Sequence, residues 1–190
     1  SRENLEILDL ATGTGDVLLY LVKANSKIQS AHGIDLAENM LAIGYEKIAR
    51  LNLQSQITLQ KGDASDIPFT ENCFDAVTIA FGIRNMEEPE SVLKEMYRVL
   101  RKDGRALILE FSRPKNPILR YLHTFYLHAI LPFLGAVFSG DFKAYRYLGE
   151  TVQAFIYGEK FCELMKDAGF QNIKAHPLTF GAAAIYEGEK

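Results

Sequence analysis

The strongest constraint on this chain is its alternation of two periodicities. Apolar strand-like runs recur at "LEILDL", "SAHGID", "QITLQ", "FDAVTIAF" and "RALILEFS". Helical spacing separates them: an apolar stretch over Val17–Lys23, then Leu41, Tyr45 and Ile48, then Val92, Met96 and Val99. Apolar residues at i, i+4 and i+7 share one helix face. "FDAVTIAF" is almost continuously apolar, as a strand covered on both faces must be. Repeated β-α-β units of this kind imply a doubly wound, mostly parallel sheet. Pro89 suits a first helical turn, and the helix it opens is expected to stop near Gly104. Two closing strands, near Gln171–His176 and Leu178–Ile185, have only a short turn between them. They must pair antiparallel, because a parallel crossover takes a dozen or more residues. The helix before them, marked by Phe161, Leu164, Met165 and Ala168, should close at Gly169.

With 190 residues, 48% hydrophobic and 24% charged, the chain fits one domain spanning 1–190. A formal net charge of -3 and a pI near 5.8 argue against a nucleic-acid partner. Cys73 and Cys162 are too far apart for a C-x-x-C site, which excludes a cysteine zinc site and suits a reducing, cytoplasmic setting. The polar opening "SRENLE" carries no signal-peptide pattern, and Ser1 in place of Met points to a fragment. The rhythm breaks between about 114 and 157, an aromatic helical insertion. Its apolar stretch Ile118–Phe138 has the length of a membrane span, but Arg120, His123, His128 and Pro132 interrupt it. It reads as a buried or membrane-facing helical segment.

The first strand runs into "DLATGTGDVLL". A dinucleotide loop follows G-x-G-x-x-G/A, but counting from Gly13 and Gly15 brings Leu18 to the last position. An acidic strand end followed by small residues at alternate positions, Asp9, Ala11, Gly13 and Gly15, fits S-adenosylmethionine (SAM) better. That cofactor has no phosphate, so its amino-acid moiety and sulfonium must come close to the backbone, which small residues allow. Asp9 favours the ammonium, and the helix beginning at Asp16 offers N–H groups to the carboxylate. A purely structural βα turn is the alternative. Asp35, at the end of the second strand, can accept both ribose hydroxyls or simply cap a helix. Asp63 follows the third strand, where it can accept from the adenine amino group while Ala64 leaves room for the ring; alone it would be a loop aspartate. Acidic residues at successive strand ends, with a sheet closed by a hairpin, outline the class I methyltransferase fold.

Longer tracts carry a family resemblance. "LDLATGTGD", "FDAVTIAFGIRN", "MYRVLRKDGRALILEFSRP", "AYRYLGETV" and "LMKDAGFQNI" resemble the UbiE-type ubiquinone/menaquinone biosynthesis C-methyltransferases, from about Leu5 to the C-terminus. The resemblance implies SAM contacts at Thr14, Asp35, Asp63 and Ala64. Departures are Ala80 where a serine is common, Asp103-Gly104-Arg105 in place of Pro-Gly-Gly, and no counterpart of the family's N-terminal helical region. The implied reaction is methyl transfer to a ring carbon of a prenylated quinol, a demethylmenaquinol or a ubiquinol precursor. It needs no metal and no covalent nucleophile. Arg84 is the candidate for stabilising a phenolate, or else a structural salt bridge, with Asn85 as orienter. Tyr145 and Tyr147 are candidates for the quinol hydroxyl or packed aromatics; His128 is a candidate base or a core residue. The insertion would cover the lipid tail near the membrane surface, with Arg98, Arg101, Lys102, Arg105, Arg113, Lys115 and Arg120 as a basic face, or serve a homodimer. Alternatives are a SAM-dependent enzyme for another small molecule and a non-catalytic SAM-binding scaffold.

Overall fold

The computed structural model describes residues 3–130, 151–152 and 155–190. Strands β1 (Leu5–Leu10), β2 (Ile28–Asp35), β3 (Ile57–Lys61), β4 (Phe74–Ala80) and β5 (Leu100–Phe111) are joined by helices α1 (Asp16–Ala24), α2 (Glu38–Arg50) and α3 (Pro89–Val99). After β5 come α4 (Pro117–Phe125), α5 (Glu159–Asp167) and the strands β6 (Gln171–Leu178) and β7 (Ala183–Glu189). The sheet order is β3-β2-β1-β4-β5-β7-β6. β1 to β5 pair parallel, whereas β7 lies antiparallel between β5 and β6. The doubly wound expectation holds. The winding reverses between β1 and β4, the point where open α/β sheets bind ligands beyond their strand ends.

Alternation along β1 feeds two cores. Leu8 and Leu10 join a cluster with Val77, Ile79, Ile108, the α3 stripe and Phe161 and Met165 of α5. Ile7 faces the other way, among Leu18, Val22, Leu41, Ile48 and Leu59 under α1 and α2. Val92, Met96 and Val99 are all fully buried, so the period read from sequence is the packing face. Truncating any of them to Ala is expected to cost about 2–5 kcal/mol. Tyr45, by contrast, is half exposed; its hydroxyl donates to the Leu59 carbonyl at the rim of the stripe.

Two boundaries differ from expectation. α3 stops at Val99, five residues before Gly104, because Leu100 already pairs with Phe74. The register then shifts, so that Ala76 meets Arg105, and Asp103 takes a left-handed turn (φ 64°). The last strand begins at Ala183, not Leu178. Thr179, Phe180 and Gly181 all adopt positive φ and end β6, and the buried set Ala184, Tyr186 and Gly188 then gives β7 its two-residue period.

Asn116 caps α4 by accepting from the N–H groups of Ile118 (2.9 Å) and Leu119 (3.3 Å). No residue of α4 itself is buried. A π-helical turn, Tyr126–Ile130, follows. Among the described residues no helix is long and apolar enough to cross a membrane; most of the stretch 118–138 beyond α4 lies outside them.

Candidate active site at the sheet switch point

The β1 loop is held by the end of β2. Gly13 N donates to Asp35 Oδ2 at 2.7 Å, and Ala37 N donates to Asp35 Oδ1 at 2.8 Å. Thr12 N also donates to the Ile34 carbonyl at 3.0 Å. Ala11, Gly13 and Gly15 turn the chain through left-handed conformations, φ 49°, 56° and 75°. The glycines adopt them without Cβ strain; Ala11 takes up some strain. Each Asp35 oxygen has accepted one N–H, and a carboxylate offers about four acceptor positions. Two therefore remain for a diol.

Asp9 lies beneath this loop, 1% exposed. Its Oδ1 accepts from Thr78 Oγ1 at 2.5 Å. Burial pushes its carboxyl up from 3.8 to about 6, against the lowering effect of the Thr78 hydroxyl. A cation arriving next to Asp9 would recover part of that desolvation cost. Thr14 is engaged at the surface: its hydroxyl donates to Asp16 Oδ2 (2.7 Å) and accepts from Lys47 Nζ (2.7 Å).

Beyond β3, Asp63 Oδ1 accepts from Ser65 N (2.8 Å) and Ser65 Oγ (2.7 Å), which holds its carboxyl below the usual range. Ala64 is buried. Ala11, Asp35, Gly62, Asp63 and Ala64 meet, with Leu36 and Met86, around a cleft of about 70 Å³. The carboxylates of β2 and β3 and the small residues expected around a nucleoside therefore share one wall. Sequence reasoning missed Gly82. A Cβ there would fall 2.7 Å from that of Ala11, so only glycine lets the turn after β4 approach the β1 loop.

That turn, Ile83–Asn85, carries the candidate chemistry. Arg84 is not a free guanidinium. Its Nη1 donates to Glu110 Oε1 at 2.9 Å and to the Phe81 carbonyl, and its charge lies 5.1 Å from the centre of the Phe111 ring. The pair is buried, Arg84 10% and Glu110 0% exposed, and Arg84 Nε has no partner. Burial raises the Glu110 carboxyl, while the Phe111 N–H and Arg84 pull it down. Glu110 is a second residue missed from sequence; its place at the end of β5 was the available signal. Asn85 is exposed beside the pair. Tyr145 and Tyr147 lie outside the described residues, as does the side chain of His128.

A larger cavity, about 960 Å³, opens at the same end of the sheet beyond β5. Ser112, Arg113, Lys115 and Asn116, the stretch 155–160 with Cys162, and the β6–β7 hairpin line it among the described residues.

This topology and array of strand-end carboxylates define a class I SAM-dependent methyltransferase. Solved structures share the fold: a SAM-dependent methyltransferase from Aquifex aeolicus (TM-score 0.68, 22% identity, covering 99% of this chain and 83% of that one) and the [4+2]-cyclase SpnF (TM-score 0.72, 17% identity, 99% and 75%). The sequence model described as the ubiE/COQ5 methyltransferase family matches residues 1–190, and the chain belongs to that family. Similar relatives include the ubiquinone/menaquinone biosynthesis C-methyltransferases UbiE of Geotalea daltonii (43% identical, covering 98% of this chain and 79% of the relative) and Agrobacterium fabrum (38%, 97% and 71%).

Proposed function

We propose that the protein transfers a methyl group from SAM to a ring carbon of a prenylated quinol in quinone biosynthesis. The observation that carries the cofactor half of this reading is the convergence of Ala11, Asp35, Asp63 and Ala64 on one cleft at the switch point. Bound SAM supplies an electrophilic methyl on its sulfonium. Asp9 balances the ammonium, the N–H groups at the start of α1 meet the carboxylate, Asp35 accepts from the ribose and Asp63 from the adenine amino group. Thr14, tied to Lys47 and Asp16, keeps the mouth of the loop in place.

The substrate half rests on family membership and on the turn after β4. A quinol carbon becomes nucleophilic when a neighbouring hydroxyl gives up its proton. The protein must then orient the ring and favour the phenolate. Arg84, held by Glu110 and Phe111, keeps positive charge and a rigid turn at the end of β4. Exposed Asn85 on the same turn hydrogen-bonds the hydroxyl. Tyr145 and His128 remain candidates for handling its proton. Paired turnover assays with demethylated menaquinol and ubiquinol precursors test the reading: methylation of at least one is expected, and methylation of neither rejects it.

The segment 114–157 is the substrate-side cover in this reading. Ile118, Tyr121, Leu122 and Phe125 recur at helical spacing along α4, and all are more than half exposed. From Ser112 to Gly140 the sequence has no Asp or Glu, while Arg113, Lys115 and Arg120 flank the apolar row. An apolar helix face with basic flanks suits the headgroup region of an anionic bilayer. The protein then works at the cytoplasmic face of the membrane that holds its substrate. Co-sedimentation with anionic vesicles tests this; a stable homodimer that stays off vesicles would assign the face to a second copy.

A further inference from the structure

We propose that the cavity of about 960 Å³ beyond β5 takes the polyprenyl tail of the substrate. This rests on the prenylated-quinol reading and adds where the tail lies. Small-molecule pockets commonly measure about 300–1,000 Å³, and this one is at the upper end of that range.

Its lining is mostly apolar, which suits a hydrocarbon chain, although Arg113, Lys115, Asn116, Glu159 and Lys160 also border it. Phe155, Ile156, Tyr157, Pro177 and Phe180 supply its wall, and Tyr186 belongs to its lining. The Tyr186 hydroxyl is engaged, accepting from Gly158 N at 2.7 Å. Among the described residues, the buried side-chain polar atoms without a partner are Thr12 Oγ1 and Arg84 Nε. Neither residue lines the cavity. No buried, unpartnered donor or acceptor among the described residues therefore calls for a polar ligand there, and the charged lining residues Lys115, Glu159 and Lys160 are exposed to water. Phe180 is 85% exposed and held at φ 56°. An aromatic ring kept in water on a strained backbone gains apolar contact if a hydrocarbon chain lies against it.

Position supports the assignment from both ends. Ser112, in the cavity wall, is two residues past Glu110, the partner of Arg84. Between them Phe111 packs against Phe81 with ring centres 4.8 Å apart and planes tilted by 45°. A ring held near the end of β4 would therefore direct its tail along the aromatic pair into the cavity. At the other side Asn116 both lines the cavity and caps α4, whose exposed apolar row faces outward. The apolar row of α4 and the turn after β4 thus lie on either side of the cavity, the arrangement that a tail entering from a bilayer requires.

The test substitutes Ala175, an exposed residue of β6 that lines the cavity. Ala175→Trp fills the space without removing a core contact. The readout is tail preference, the kcat/KM for a long-prenyl demethylquinol divided by that for its tail-less analogue. A drop of at least about tenfold, a difference of about 1.4 kcal/mol, is expected with SAM affinity retained. An unchanged ratio overturns the proposal. If Ala175→Trp loses SAM affinity and so fails to fold, Ile156→Asp is read in the same way. A readout free of catalysis uses a farnesyl chain with a terminal diazirine. Labelling of the peptides containing Ile156 or Pro177 supports the site even if no quinol is methylated, in which case the reaction fails and the isoprenoid site stands. Labelling confined to other peptides overturns the site even if methylation proceeds.

Discussion

In the proposed reading, the two halves of the sheet's ligand-facing end solve recognition in opposite ways. At the ends of β1, β2 and β3, polar groups are fixed by short hydrogen bonds: Asp35 to Gly13 and Ala37, Asp63 to Ser65, Thr14 to Lys47 and Asp16. Beyond β5 there is little of this. A wide, mostly apolar cavity, an aromatic turn and an apolar helix face predominate there. A cofactor with ammonium, carboxylate, diol and amine groups is recognised by direction, which needs a rigid loop. A hydrocarbon tail is recognised by volume, which needs only apolar space. The Arg84–Glu110 pair is the seam between them.

Substitutions on each side should separate these modes. The largest effect is expected at Asp35. Asp35→Ala removes the acceptor that holds Gly13 as well as the diol contacts. Hydrogen bonds to a charged group contribute about 1.5–3 kcal/mol each. SAM affinity measured by calorimetry should therefore fall by at least about 100-fold; an affinity within a few-fold of wild type would remove Asp35 from the site. Next is the seam. Arg84→Ala leaves Glu110 buried without its partner, which typically costs about 3–5 kcal/mol. Denaturant unfolding should show that loss together with reduced turnover. Unchanged stability would mean that Glu110 takes up a proton or finds water.

Asp9 gives a pH signature. Its folded carboxyl sits near 6 against an ordinary 3.8. The folded state thus binds a proton more tightly than the unfolded one. The associated stability is fully present below about pH 4 and is lost as pH rises through 6, by up to about 3 kcal/mol. Asp9→Asn carries no such loss. Without SAM, its stability relative to wild type should rise between pH 4 and 7 and then level off. A difference independent of pH would contradict a protonation cost at Asp9. The smallest effect lies on the open side. Leu122→Asp, on the exposed face of α4, should weaken partition onto anionic vesicles by about tenfold while stability changes by less than about 0.5 kcal/mol.

Much of the cofactor side was legible because it is local. The strand, the small-residue loop and the capping aspartates follow one another along the chain, and a local pattern is what a sequence displays. The failure of Leu18 to match a dinucleotide loop separated two cofactors on one side chain. The α3 stripe was equally direct. The seam was not legible, because Arg84 and Glu110 are 26 positions apart and meet only through the pairing of β4 with β5. Arg84 therefore read as a free cation aimed at substrate, with a salt bridge as its alternative. The last strand was placed too early because Leu178, Thr179 and Phe180 look strand-like by residue type, whereas Leu178 ends β6 and Thr179, Phe180 and Gly181 form the left-handed turn of the hairpin. The cavity has no sequence signature of its own, being the gap left between three separate segments.

The central claim is carbon methylation of a quinol at this site. It is tested most directly by incubating the protein with methyl-labelled SAM and a demethylmenaquinol, then locating the label by NMR of the extracted product. The expected result is one labelled methyl on the ring carbon. Label on a hydroxyl oxygen, or unlabelled quinol recovered intact from protein that binds SAM, would contradict it.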